Sequence, residues 1–157
     1  MSSEEKAALV GELGAELAID YKRDDFVSAA RKWTGDAGVN VVLDNAGPDV
    51  FTQSLAAMAP YARIVTLMGT PGDTESETAY NGNLSIHNVM MLTPMWLGLE
   101  AERRRQGEIV RTAMEWLKAG RVQVNLAATF PLEQAAQAHA LLEKGGMTGK
   151  VVLRVEA

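Results

Sequence analysis

Two patterns alternate along this chain: apolar residues three and four apart, and short continuous apolar runs. The first marks one face of a helix, and the second marks a strand covered on both sides. Ser2 followed by Glu5 forms a capping box, and the helix it opens carries Leu9, Val10 and Leu13 on one face before Gly14 ends it. Ala18-Ile19-Asp20-Tyr21 is short and mostly apolar and predicts a strand. Asp24 or Asp25 caps a second helix, with Phe26, Val27, Ala30 and Trp33 on its apolar face and Gly35 as its stop. Residues 39–43 are valine-rich and apolar except for Asn40, which predicts a strand buried on both faces. A third helix starts near Pro48 or Asp49, with Val50, Phe51, Ser54, Leu55 and Met58 at helical spacing. Residues 63–68 predict another strand, ending at Gly69.

Helix–strand–helix–strand–helix–strand is the order of a parallel sheet with crossover helices, so the fold class is α/β. The texture then changes. Residues 70–83 are rich in Gly, Thr, Glu and Asn and predict an exposed loop. Residues 84–95 are apolar and methionine-rich, predicting a strand and sheet edge broken at Pro94. Residues 102–118 predict a long helix with Val110, Ala113, Met114 and Leu117 on one face and Gly120 as its cap. Residues 122–128 predict a strand. Pro131 opens a last helix, Gly145-Gly146 closes it, and residues 150–155 form a final strand.

Composition narrows the function classes. At 157 residues the chain is one domain or one and a half, and a 47% apolar share supports a real core. A net charge of −5 disfavours nucleic acid as a partner, because binding phosphates needs a basic surface. There is no cysteine, hence no disulfide and no thiolate zinc site. No apolar run reaches membrane-spanning length, and the first six residues do not read as a signal peptide. The expectation is a soluble, cytoplasmic protein.

The chemistry concentrates where strand 39–43 ends, at Asp44-Asn45-Ala46-Gly47. Ligands of open α/β sheets sit beyond the carboxyl ends of strands. Asn45 can donate to and accept from a ribose or a carboxamide, the reading favoured here over its merely capping the following turn. Gly47 lets backbone approach, and Gly69-Thr70 at the next strand end would line the same crevice. His87 and His139 are far apart with no cysteine near, so no metal site is expected. The run Arg103-Arg104-Arg105 follows Glu100 and Glu102 and reads as a solvated face. No residue presents itself as a catalytic acid.

Four motifs in order carry a resemblance: Leu13-Gly14-Ala15-Glu16 leading to Ile19-Asp20-Tyr21; Gly38 to Gly47; Arg63-Ile64-Val65 to Gly69; and Phe130-Pro131-Leu132-Glu133 to His139 with Gly149-Lys150-Val151-Val152-Leu153. The chain resembles the C-terminal part of the medium-chain dehydrogenase/reductase superfamily, in its quinone-oxidoreductase-like zinc-binding dehydrogenase branch. Short-chain dehydrogenases share the Asn-Ala-Gly turn but need Tyr-x-x-x-Lys. Here Tyr80 is followed by Leu84 and Tyr61 by Val65, four positions on. Against the superfamily's pattern, Asn40 stands where aspartate is common, and Tyr61-Ala62 where a glycine is usual.

The resemblance implies an incomplete Rossmann-like, doubly wound and mainly parallel sheet. Residues 1–122 would be a partial nucleotide-binding domain, and residues 123–157 a tail that packs on a catalytic domain. The glycine-rich phosphate turn has no counterpart in this sequence, and neither do the first two strands of the 3-2-1-4-5-6 order. Their absence would leave a gap of ~14 Å beside strand 39–43, to be closed by sliding, by dimerisation or by partial disorder before Val39. Ser2 and Lys6 would face the adenosine ribose, Lys6 favouring a 2′-phosphate and hence NADP(H), and Tyr21 would lie near the adenosine. Asn45, Gly47 and Gly69 would complete the cofactor contacts. Residues 84–98 would form a homodimer interface. The implied activity is hydride transfer to or from a carbonyl, quinone or enone, with this chain alone inactive and its catalytic residues elsewhere. A non-catalytic module that complements a separate N-terminal half is the alternative.

Overall fold

The computed structural model describes residues 3–68 and 71–155. They fall into two compact units, one through Leu92 and one from Thr93.

The first unit begins with α1 (Glu4–Glu12). Its cap is Ser3, whose hydroxyl accepts the Lys6 amide at 3.3 Å. The cap thus stands at Ser3, and with Lys6 three residues on it forms no capping box; Ser2, where the capping box was expected, lies outside the described residues. Residues 18–21 form no strand, contrary to expectation; they run as coil into a turn. Four residues without a paired neighbour have nowhere to send their backbone hydrogen bonds as a strand. Asp25 caps α2 (Phe26–Trp33): its carboxylate accepts the amides of Val27 at 3.1 Å and Ser28 at 3.3 Å and the Ser28 hydroxyl at 2.5 Å.

The sheet starts at β1 (Val39–Asp44) and continues through β2 (Met58–Thr66) and β3 (Ser85–Asn88), all parallel and in that spatial order. The crossovers are α3 (Pro48–Ala57) and α4 (Asp73–Gly82). The second of these corrects the loop predicted for residues 70–83. Glu75 accepts the Gly72 amide at 3.1 Å and Asn83 ends the helix at φ 50°, so both caps are present in a segment whose face is almost wholly polar.

Register sorts the strand residues into two faces. Val42, Ile64 and Ile86 pair in a row, as do Val41, Arg63 and Ser85, and Leu43, Val65 and His87. The first row meets Phe51 and Leu55 of α3 in the core, which also holds Met58, Ala59 and Ala62. The other face is open, with Val41 63% and Leu43 65% exposed. The expected burial of β1 on both faces is thus corrected: helices cover one side, and β1 is an edge strand. Between Val39 and Val41 the partner strand advances from Met58 to Arg63, a bulge that accommodates Pro60 and puts Tyr61 at φ 62°. The departure noted at Tyr61 is therefore a real backbone feature, a tyrosine in glycine's conformation. Gly38 lies under the same bulge, where a Cβ would come within 2.6 Å of the backbone of Met58 and Ala59.

The second unit contains α5 (Thr93–Trp96), α6 (Glu100–Lys118), β4 (Leu126–Pro131), a 3-10 turn (Leu132–Gln134), α7 (Ala135–Lys144) and β5 (Lys150–Arg154). β4 pairs β5 in parallel, and Ala138 of α7 is buried. The strand predicted at 122–128 starts later, and Pro131 ends it rather than opening a helix, since its extended conformation (ψ 156°) leads into the 3-10 turn. α6 spans the expected residues, yet none of them is buried. Gly149 is obligatory, at φ 106° with Asn125 O only 2.5 Å from where a Cβ would stand.

Candidate functional site

All three strands of the first sheet run the same way, so their carboxyl ends share one edge. On β1 that end is Asp44, followed by the turn through Asn45 and Ala46 to Gly47, the cap of α3. Gly47 sits at φ 126° and ψ −176°, a region open essentially to glycine alone. It is buried, whereas Asn45 is exposed with its amide available to solvent. Nothing lies within 4 Å of the place a Gly47 Cβ would occupy, so a ligand has room to approach the backbone there.

Beside this turn is a cavity of about 670 Å³, within the usual range for small-molecule sites. Ala46, Val50 and Gln53 form one wall, and Ile19, Tyr21, Asp24, Asp25 and Phe26 the other. Its lining mixes apolar side chains with Asp24, Asp25 and Gln53. The Asp25 carboxyl is held below the ordinary aspartate range, chiefly by the Ser28 hydroxyl and then by the Val27 amide. It is therefore committed to capping α2. The cavity joins Tyr21, 61% exposed, to the strand-end turn, an association that spacing in the sequence could not establish.

A profile of the zinc-binding dehydrogenase family matches residues 13–153. The chain belongs to that family. It corresponds to the C-terminal, cofactor-binding part of the medium-chain dehydrogenase/reductase architecture. Quinone oxidoreductase-like protein 2 of Bos taurus is 31% identical over 160 residues, covering 98% of this chain and 44% of that protein. A solved 2-haloacrylate reductase is 29% identical with a TM-score of 0.79, covering 100% of this chain and 49% of that one. A solved NAD-dependent alcohol dehydrogenase is also 29% identical, with a TM-score of 0.75 and coverage of 98% and 42%. The chain thus spans about half the length of the relatives it matches.

Within this zinc-binding dehydrogenase family member, the residues singled out from sequence have separate fates. Asn45 and Gly47 share the strand-end turn, and Tyr21 borders the same cavity. Lys6 is half-buried in the first turns of α1 and does not line the cavity. Ser2 and Gly69 lie outside the described residues. His87 and His139 are both exposed, on β3 and α7, and no group of three or more His, Cys, Asp or Glu among the described residues could hold a metal ion. No described helix is long and apolar enough to cross a membrane.

Sequence reasoning missed a buried polar pair. Asp44 is 3% exposed and Thr66 1%, and the Thr66 hydroxyl donates to Asp44 Oδ2 at 2.8 Å. The available signal was a polar residue closing each of two apolar strands.

Proposed function

We propose that the chain is the cofactor-facing portion of an NAD(P)H-dependent oxidoreductase acting on a carbonyl, quinone or enone. The observation that carries this reading is the turn at Asn45–Gly47, open to backbone approach, at the carboxyl end of a parallel strand beside a cavity of ligand size. When bound, a nicotinamide cofactor supplies or accepts the hydride. Asn45 would hold a ribose or carboxamide through its paired donor and acceptor, and Gly47 would admit the ring edge. Tyr21 would lie against the adenosine, and Lys6 would select NADP(H) by attracting a 2′-phosphate. The diphosphate finds no Gly-x-Gly-x-x-Gly turn in this sequence, so the fit is to the two ends of the cofactor and not to its middle. Turnover therefore needs more polypeptide than this chain contains.

The test is a titration with NADPH and with NADH, followed by calorimetry and by amide shifts. The expected result is weak binding, in the millimolar range, that moves the amides of residues 45–47 and is stronger for NADPH. Lys6→Glu should erase that preference. Saturating cofactor that leaves residues 45–47 unmoved would sink the reading, and micromolar binding would overturn the requirement for a phosphate turn.

A second reading is favoured by the exposed Val41 and Leu43 on edge strand β1: a non-catalytic module completed by a separate polypeptide. Co-expression with a segment corresponding to the remaining half of the relatives should then yield a stable complex. A homodimer through residues 84–98 is also proposed, supported by the exposure of Met90, Met91, Met95 and Trp96. A cytoplasmic location is proposed with it.

A further inference from the structure

We propose that Asp44 and Thr66 are positioning residues that lock the two strand-end turns into one unit. The proposal rests on the reading of residues 45–47 as cofactor-facing.

Asp44 and Thr66 face each other in the β1–β2 register, each the last residue of its strand. Both are almost wholly buried. The Asp44 carboxylate divides its oxygens: Oδ2 accepts the Thr66 hydroxyl at 2.8 Å, and Oδ1 accepts the Ala46 amide at 3.0 Å. A hydroxyl has one proton, and here it goes to the carboxylate, so its oxygen is left to accept the Met68 amide at 3.3 Å. The backbone closes the circuit, with the Leu67 amide donating to Asp44 O at 3.1 Å and the Val89 amide to Thr66 O at 3.0 Å.

A continuous hydrogen-bonded path therefore runs from Ala46, through Asp44 and Thr66, to Met68. The turn after β1 and the turn after β2 cannot shift independently while it holds. A buried carboxylate is costly unless each oxygen is satisfied, and no described buried side-chain polar atom lacks a partner. An apolar residue at position 44 would extend the valine run of β1 but would leave the Ala46 amide without an acceptor. The turn that presents Asn45 and brings Gly47 to its glycine-only conformation is thus set by a side chain that itself faces inward. Asn45 is exposed immediately beyond it.

Amide and hydroxyl hydrogen exchange by NMR on the full chain, without ligand, tests the lock. In the wild type the Ala46 and Met68 amides should open together, with protection within about threefold of one another. Thr66→Val should speed exchange at Ala46, whose amide donates to Asp44 Oδ1, by about tenfold or more, while Ile64 stays within about threefold. Thr66→Ser, which keeps the hydroxyl, should restore the wild-type rates. Independent opening of Ala46 and Met68 in the wild type overturns the lock, as does an unchanged Ala46 rate in Thr66→Val. The wild-type measurement decides the matter if the valine variant fails to fold.

NADPH titration of the same samples supplies the second arm. Wild type and Thr66→Ser should show amide shifts at residues 45–47 and 67–68 with one common midpoint. Thr66→Val should keep the shifts at residues 45–47, lose those at 67–68, and bind about tenfold more weakly. Coupled exchange with no NADPH-induced shift overturns the cofactor reading alone, whereas NADPH shifts with uncoupled exchange overturn the lock alone.

Discussion

Single residues show where this chain departs from its easiest conformation. Tyr61 occupies the left-handed region at φ 62° while 76% exposed, so its ring gains little from packing to offset the backbone cost. Left-handed geometry costs an ordinary residue about 1–2 kcal/mol, and glycine gives back part of that relief through its freedom in the unfolded chain. Tyr61→Gly should therefore raise stability by about 0.5–1 kcal/mol, read as a higher denaturation midpoint with an unchanged slope. Asp25 yields a pH prediction. Its folded-state carboxyl lies below its ordinary value because the Ser28 hydroxyl and the Val27 amide favour the charged form. Stability from that charge is fully present above the unfolded value and is lost as pH falls through the lowered folded value. Asp25→Asn keeps a capping oxygen and removes the charge. The gap in Tm between wild type and Asp25→Asn should shrink between about pH 6 and about pH 3, and a constant gap would contradict the assignment.

Elements are held together by a few long side chains as much as by the core. Arg31 of α2 donates from Nε to Ala56 O at 3.0 Å, from Nη1 to Asp36 O at 2.9 Å and from Nη2 to Met58 O at 3.2 Å. One planar guanidinium thus ties the end of α3 and the start of β2 to α2. Lysine carries a single ammonium on a flexible stem and cannot reproduce that fork. Arg31→Lys and Arg31→Ala should both destabilise the chain by about 2 kcal/mol in urea unfolding. Retention of wild-type stability by Arg31→Lys would show that charge and not geometry matters there. Midway along α3, Thr52 donates to Glu75 at 2.6 Å, linking it to α4. That link is one reason a segment expected to be loop is helical, because Glu75 also accepts the Gly72 amide that starts the helix.

At the scale of the whole molecule, the first sheet is covered on one face only. Val41, Leu43 and His87 are exposed on the other, and β1 is an edge. Exposed apolar strands with a free edge favour association. The chain should accordingly self-associate at high concentration and bind a hydrophobic dye. Leu43→Lys should reduce both in sedimentation and fluorescence assays while leaving the Tm within a few degrees, since the side chain is 65% exposed. A Tm collapse with unchanged association would place Leu43 inside the fold instead.

The sequence by itself determined α1, α2, α3, α6 and α7, the presence of strands from Val39 onward though not all their bounds, the parallel order of the first sheet, and the family. Those follow from local spacing, caps and apolar runs, which need no distant partner. It also determined that Asn45 and Gly47 end a strand. Tertiary structure alone decided that residues 18–21 form no strand and that β1 is open on one side, because strand identity depends on a neighbour to pair with. It decided that α4 is helical through contacts with α3. It also brought Tyr21 to the cavity beside Ala46, and Asp44 to Thr66 across twenty-two positions of sequence. Whether a polar strand end is solvated or buried depends on what the register sets opposite it, and register is a property of the assembled sheet.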